Sequence, residues 1–208
     1  MKKFVFILAF ILLLSVSYID NFGIFKNNNP KSVNFYDQCI LSADVGENHT
    51  GNGLSGIAYE DINVPKAEKL CVEAYKKYPN DLKVIRSLGR IYHIKEDYKK
   101  SLNHFNKIVE SDAYSQYMLS VMYLKGQGVK KDYNKAFQLV KKSADQNFIS
   151  ALIELVEYYT NGWGTKINYE LAYQIEKKCA DEGIRDCIHN MALTFRDGWY
   201  NKEINIEK

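Results

Sequence analysis

The feature that most constrains this chain is an internal repeat. Aligned on the aromatic residue that ends each predicted first helix, four copies end at Tyr92, Tyr123, Tyr159 and Phe195, spaced 31, 36 and 36 residues apart. A large apolar residue precedes each aromatic by four positions, so both fall on one face of a helix and are predicted to pack in the core. A unit of this length cannot bury its apolar face alone, and its neighbours must stack on it.

The second half of each unit also recurs. Gly126 and Gly162 follow the aromatics and suit the left-handed residue that ends a helix. Asp97, Asp132 and Asn168 then supply the N-cap oxygen of a second helix. Small residues recur where two helices must approach closely: Ser101, Ala136 and Ala172. We therefore predict an all-α chain, a right-handed α-solenoid of antiparallel helix pairs with nine helices after the N-terminal segment.

The N-terminus has the pattern of a bacterial export signal. Lys2 and Lys3 precede an apolar run, and small serines suit cleavage after residue 17. An uncleaved anchor is the alternative, although the apolar stretch of 16 residues is shorter than the roughly 20 that span a bilayer. We expect residues 1–17 to be a signal peptide and 18–30 a linker, with the body periplasmic or secreted. Membrane contact is expected only through residues 1–17, if they are retained.

Composition indicates a folded body and argues against nucleic acid as a partner. The chain is 46% hydrophobic and 25% charged, which is typical of globular proteins. Its formal net charge is +3, and Lys2 and Lys3 contribute two of these charges. The remaining body is almost neutral and lacks the excess of positive charge that neutralises phosphates.

Residues 119–136 read Leu-x-x-x-Tyr-x-x-Gly-x-Gly-Val-x-x-Asp-Tyr-x-Lys-Ala and resemble the Sel-one-like repeat, a relative of the tetratricopeptide repeat. The resemblance divides the body into an N-terminal disulfide-linked helical cap at 31–80, a tetratricopeptide-like unit at 81–111, Sel-one-like units at 112–147 and 148–183, and a truncated unit at 184–208. It implies a protein–protein adaptor of the bacterial envelope without catalytic activity.

Four cysteines in an exported chain favour disulfide bonds, and four allow three pairings. Cys179 and Cys187 correspond to positions of the preceding unit that lie on either side of one helix junction. The resemblance, which is to a cysteine-containing exported branch of the family, implies the pairs Cys39–Cys71 and Cys179–Cys187. Four reduced, buried thiols are the alternative. A zinc site is disfavoured because the cysteines and histidines lack ligand spacing.

No catalytic residue, metal or cofactor is expected. The glycine pattern at residues 51–56 matches a dinucleotide-binding motif, but no apolar strand precedes it. The four histidines are scattered, and no Ser-x-x-Lys sequence occurs in the chain. The alternative function is a β-lactamase-like, penicillin-binding or peptidoglycan-binding activity, as described for cysteine-rich relatives.

The resemblance places the partner on a concave face lined by the first helices. The positions that would contact it are Lys83, Arg86, Arg90, His93, Tyr114, Tyr117, Val121, Ile153, Glu157, His189 and Arg196. One end of this set is basic and its middle is aromatic, a mixture found in contact hot spots. We expect another protein or peptide, with an acidic or carboxylate-bearing segment near Arg86 and Arg90. The alternative is that Tyr114 and Tyr117 pack against neighbouring helices and that the basic residues form a solvated face.

Overall fold

The computed structural model describes residues 34–44 and 59–196, with Tyr59 and residues 194–196 described by their backbone alone. The predicted signal peptide and linker lie outside the described residues, as do parts of the predicted cap and of the C-terminal unit. The described helices all belong to one unit, Phe35–Lys208.

Within the described residues the chain is all-helical. The α-helices, in order, are α1 (Phe35–Ala43), α2 (Val64–Lys77), α3 (Leu82–Ile94), α4 (Tyr98–Ile108), α5 (Ala113–Lys125), α6 (Tyr133–Ala144), α7 (Ile149–Asn161), α8 (Tyr169–Asp181) and α9 (Arg185–Arg196). A 3₁₀ helix, Tyr59–Asp61, precedes α2. Each helix packs on the next, and α1 also contacts α3. The predicted fold of sequential helix pairs is confirmed.

The helix ends follow from the residues that the repeat supplies. Side chains of Asp97, Asp132 and Asn168 accept hydrogen bonds from backbone amides three residues ahead, at 3.3, 3.0 and 3.0 Å. Gly126 and Gly162 end α5 and α7 with φ angles of +74° and +70°. The N-caps and left-handed C-caps predicted at these positions are therefore confirmed.

The core forms where the helices cross. The small residues Ser101, Ala136 and Ala172 are completely buried, which lets neighbouring helices approach closely. Tyr92 is also buried, whereas Tyr123 and Tyr159 are half-buried against the central core. The fully buried aromatic of the third unit is Tyr158, one position before the predicted anchor. The side chain of Phe195 lies outside the described residues.

Two disulfides join helices at opposite ends of the described chain. Cys39–Cys71 links α1 to α2, with 4.6 Å between the Cα atoms, and Cys179–Cys187 links α8 to α9, with 5.7 Å between them. All four cysteines are buried. These are the pairs that the family resemblance implies, and no described cysteine is a free thiol.

Candidate functional site

The residues predicted to bind a partner all lie on first helices, but their environments differ. Those that are buried are Arg86, Arg90 and Tyr114. Those that are half-buried are Lys83, His93, Tyr117, Val121 and Ile153. Glu157 and His189 are exposed, and the side chain of Arg196 lies outside the described residues. The predicted surface is therefore only partly accessible.

Arg86 is the centre of a buried ion cluster. Its Nε and Nη2 atoms donate to the two carboxylate oxygens of Asp44 at 2.8 and 3.0 Å, and its Nη1 atom donates to Asp112 at 2.8 Å. Burial alone would lower the pKa of Arg86, but the hydrogen bonds and charges of Asp44 and Asp112 outweigh it and raise the pKa. The contact of Arg86 with a partner stays a prediction, and within the fold its donors are directed to these two carboxylates.

Arg90 and Tyr114, in the same region, also make contacts within the fold. The Nη1 atom of Arg90 donates to the backbone carbonyl of Ala43 at 2.8 Å. The guanidinium of Arg90 also lies over the ring of Tyr114, 5.9 Å from its centre, and that ring makes an edge contact with Phe148. Both residues therefore stabilise the fold. The docking of a partner's acidic segment at Arg86 and Arg90 stays a prediction, and both side chains already have partners within the fold.

Sequence reasoning missed the carboxylates of this cluster. Asp112 is the N-cap of α5, and its second oxygen accepts hydrogen bonds from the amide and hydroxyl of Ser115 at 2.8 and 2.6 Å. The position of Asp112 immediately before a repeat helix is a sequence signal that could have identified it as an N-cap residue. Asp44 follows α1 and carries no pattern that links it to α3.

His93 has a polar partner from the next unit. Its Nε2 atom lies 3.1 Å from Oε1 of Gln127. Burial lowers the pKa of His93, and the hydrogen bond to Gln127 opposes this effect. Gln127 also donates to the hydroxyl of Tyr98 at 3.3 Å. His93 therefore contributes to a contact between α3, α4 and the turn after α5.

The accessible centre of the predicted surface lies on α5 and α7. We call Tyr117, Val121, Ile153 and Glu157 the first-helix patch. Tyr117 contacts Phe148, with ring centres 5.4 Å apart. Three of the patch residues are half-buried and Glu157 is exposed. Burial raises the pKa of Glu154, which lies between Ile153 and Glu157, and the charge of Glu157 raises it further. The patch therefore combines apolar surface with negative charge.

Three serine hydroxyls near these helices have backbone partners. The hydroxyls of Ser101, Ser120 and Ser143 donate to the backbone carbonyls of other residues at 2.9, 2.7 and 2.7 Å. Within residues 34–44 and 59–196 no group of His, Cys, Asp and Glu side chains is arranged to hold a metal ion. Within the same ranges no helix has the length and apolar character to cross a bilayer.

Comparison with known proteins identifies the repeat. The Sel1 repeat model matches residues 113–148 and 150–181. No curated protein matches the sequence significantly.

Two solved structures are similar to this fold. A Sel1 repeat protein from Oxalobacter formigenes is 22% identical, with a TM-score of 0.51 over 60% of this chain and 97% of that protein. The protein c5321, a protective antigen of uropathogenic Escherichia coli with an SLR fold, is 24% identical, with a TM-score of 0.58 over 71% of this chain and 32% of that protein. This chain therefore contains two Sel1 repeats, and its described helices are arranged as in a protein with the SLR fold.

Proposed function

We propose that this chain is an exported adaptor of the bacterial envelope, which binds another protein through the first-helix patch and has no catalytic activity. Sel1 repeats generally mediate protein interactions, and the family is typically non-catalytic. The observation that carries the proposal is the accessibility of Tyr117, Val121 and Ile153 on adjacent first helices, where Met118 and Leu155 are buried. Partly exposed tyrosine and aliphatic side chains supply the apolar centre of protein interfaces.

The disulfides support an oxidising compartment. Cys39–Cys71 and Cys179–Cys187 are both buried, and such bonds persist in the periplasm or outside the cell but are rare in the cytoplasm. The N-terminal lysines and apolar run supply the matching export signal. We place the functional chain in the periplasm or outside the cell, or on the inner membrane facing the periplasm if residues 1–17 are retained.

The charge of the patch limits the kind of segment that can bind to it. Glu154 and Glu157 lie on the same helix as Ile153, and negative charge at this place repels an acidic segment. The segment that docks on the patch is therefore apolar and neutral or basic. Lys83, His93 and His189 are further predicted contacts and would lie at the rim of this interface.

Site-specific photocrosslinking in cells tests this surface. A photoreactive amino acid replaces Tyr117, Val121 or Glu157, and in matched controls it replaces the exposed second-helix residues Asn103 or Gln138. We expect one protein adduct from the patch positions and none from the controls. Adducts that form equally from the patch positions and the control positions, or from neither set, contradict the proposal.

Two further measurements test the remaining parts. The mass of the chain isolated from cells shows whether residues 1–17 have been removed and whether both disulfides have formed. Incubation of the purified oxidised chain with a chromogenic cephalosporin tests the alternative activity. Hydrolysis at a rate above that of a heat-denatured sample would overturn the assignment as a non-catalytic adaptor.

A further inference from the structure

A second candidate binding surface lies on the turns of the two Sel1 repeats. A groove of about 860 Å³ runs between the start of α6 and the glycine turn that follows α7. We call it the lysine groove and define it by Lys130, Lys131 and Lys135, with Tyr123 and Tyr133 beside them. No residue of the first-helix patch lines it.

The three lysines are exposed and lack acidic partners. None of them forms an ion pair with a carboxylate of the residues that the structure describes. The Nζ atom of Lys135 lies 4.4 Å from the centre of the Tyr123 ring, and that of Lys131 lies 5.6 Å from the Tyr133 ring. Asp132, the acidic residue in the lining, uses one carboxylate oxygen to cap the amide of Lys135. The groove is therefore positively charged.

Several other lysines of the described residues, by contrast, form ion pairs. Those paired with a carboxylate are Lys76, Lys95, Lys100, Lys141, Lys142, Lys177 and Lys178. The lysine groove brings together three lysines that have no such pair among the described residues.

Neighbouring repeats show that the fold does not require these lysines. Counted from the N-cap, the preceding turn has Lys95, Glu96 and Lys100 at the equivalent positions. Its two lysines pair with Glu68 and Asp97, at Nζ–O distances of 2.6 and 2.8 Å. The following turn has Lys166, Ile167 and Leu171 instead. The positions around these N-caps therefore tolerate acidic and apolar residues, and of the three sites compared the middle one has three cations without an ion pair to a described carboxylate.

The chemistry of the groove selects a flexible, multiply charged anion. A single exposed lysine–carboxylate pair contributes at most about 1 kcal/mol, so one small anion in this open groove is held weakly. Carboxylates spaced along one chain bind additively, because each contact raises the effective concentration of the next. Lysine presents a point charge without the planar fork of arginine, and it therefore recognises charge rather than one fixed geometry.

We propose that the lysine groove binds an extended segment of a partner protein that is rich in Asp and Glu. The tyrosine rings beside the lysines add apolar surface for the backbone and side-chain stems of such a segment. The inference does not depend on the function proposed for the first-helix patch, because the two surfaces share no residue. It also gives the expected acidic partner a place on the protein other than the buried Arg86 and Arg90.

Binding of a labelled octaglutamate peptide to the full-length oxidised chain tests the groove. The variant Lys131→Gln/Lys135→Gln is compared with Lys99→Gln/Lys100→Gln, which removes two lysines from the start of α4 in the preceding repeat. Fluorescence anisotropy at low and at physiological ionic strength gives the affinity. We expect the groove variant to bind about tenfold more weakly than the unmodified chain, the control to change by less than about twofold, and salt to weaken binding.

Equal weakening in both variants would overturn the proposal, because it would show a response to net charge alone. Tighter binding of a sulfated oligosaccharide, lost in the same groove variant, would overturn the assignment to a protein segment. The variant Tyr117→Ala/Val121→Ala should bind octaglutamate as the unmodified chain does. This result separates the groove from the first-helix patch, so that either proposal can fail without the other.

Discussion

Arg86 and Asp44 are joined by two hydrogen bonds across 42 positions of sequence. The pair attaches the end of α1 to α3, while Cys39–Cys71 attaches α1 to α2. Both charged groups are almost fully buried, with side-chain exposures of 10% and 3%. A buried charge without its partner is strongly unfavourable, so the position of α1 depends on both members of the pair.

Replacement of Asp44 by Asn should therefore destabilise the fold. Loss of one charge leaves Arg86 with a single carboxylate, that of Asp112, and we expect the free energy of unfolding to fall by about 3 kcal/mol. Urea denaturation measures the change. The control Lys141→Gln breaks the exposed Lys141–Asp145 pair and should cost less than about 0.5 kcal/mol. Equal effects of the two substitutions would contradict the role given to the cluster.

His104 should make stability depend on pH. Burial and the charge of Lys107 lower its pKa to about 4, and its ring stacks on Tyr92. Its Nδ1 atom has no hydrogen-bond partner among the residues that the structure describes. Between pH 6.5 and 4 the unfolded chain binds the proton that the folded chain rejects. Stability is therefore lost as pH falls through this window, by about 3 kcal/mol from this group.

The variant His104→Phe keeps an aromatic ring and removes the titration. Chemical denaturation between pH 7 and pH 4 should show a smaller loss of stability for this variant than for the unmodified chain. His189→Gln, at an exposed position, serves as the control and should follow the unmodified chain. If His104→Phe also follows it, the buried histidine is not the source of the pH dependence.

The two disulfides should contribute unequally to the free energy of unfolding. Cys39–Cys71 closes a loop of 32 positions and Cys179–Cys187 one of 8, so loop entropy predicts contributions of roughly 4 and 2.5 kcal/mol. Alanine is substituted for both cysteines of one pair at a time, because all four sites are buried. Thermal and urea unfolding of the two variants show which disulfide contributes more stability. A larger loss of stability on removal of Cys179–Cys187, which closes the shorter loop, would contradict this account.

Substitution of Gly164 should destabilise the fold more than substitution of another glycine with a positive φ angle. A Cβ atom there would lie 2.1 Å from the carbonyl oxygen of Tyr133, and the φ angle is +65°. Gly183 has a φ angle of +79° with open space around the same position. We expect Gly183→Ala to cost about 1 kcal/mol from the backbone alone. Gly164→Ala should cost at least about 2 kcal/mol, measured by urea denaturation, because the turn must also move away from α6.

The sequence predicts the repeated part of this fold well. Spacing, N-caps such as Asp132 and turn glycines such as Gly162 are local signals, and a helix pair needs little else to form. Contacts between distant segments are not encoded in this way. Arg86 occupies an outward position in the repeat pattern, and only the folded chain brings Asp44 over it. The lysines of the groove are visible in sequence, but the pairing of Lys95 and Lys100 that distinguishes the neighbouring turn is visible only in three dimensions.

Asp112 has two roles at once, as the N-cap of α5 and as the second carboxylate of Arg86. One side chain thus couples the start of a Sel1 repeat to the unit before it and, through Asp44, to the first described helix. Repeat proteins are often shortened or recombined one unit at a time because each unit contacts only its neighbours. In this chain a cut before residue 112 would separate Asp112 from Arg86 and leave Arg86 with Asp44 as its remaining carboxylate partner in the cluster. We therefore expect the first three helix pairs to keep their stability only when they are retained together in one chain.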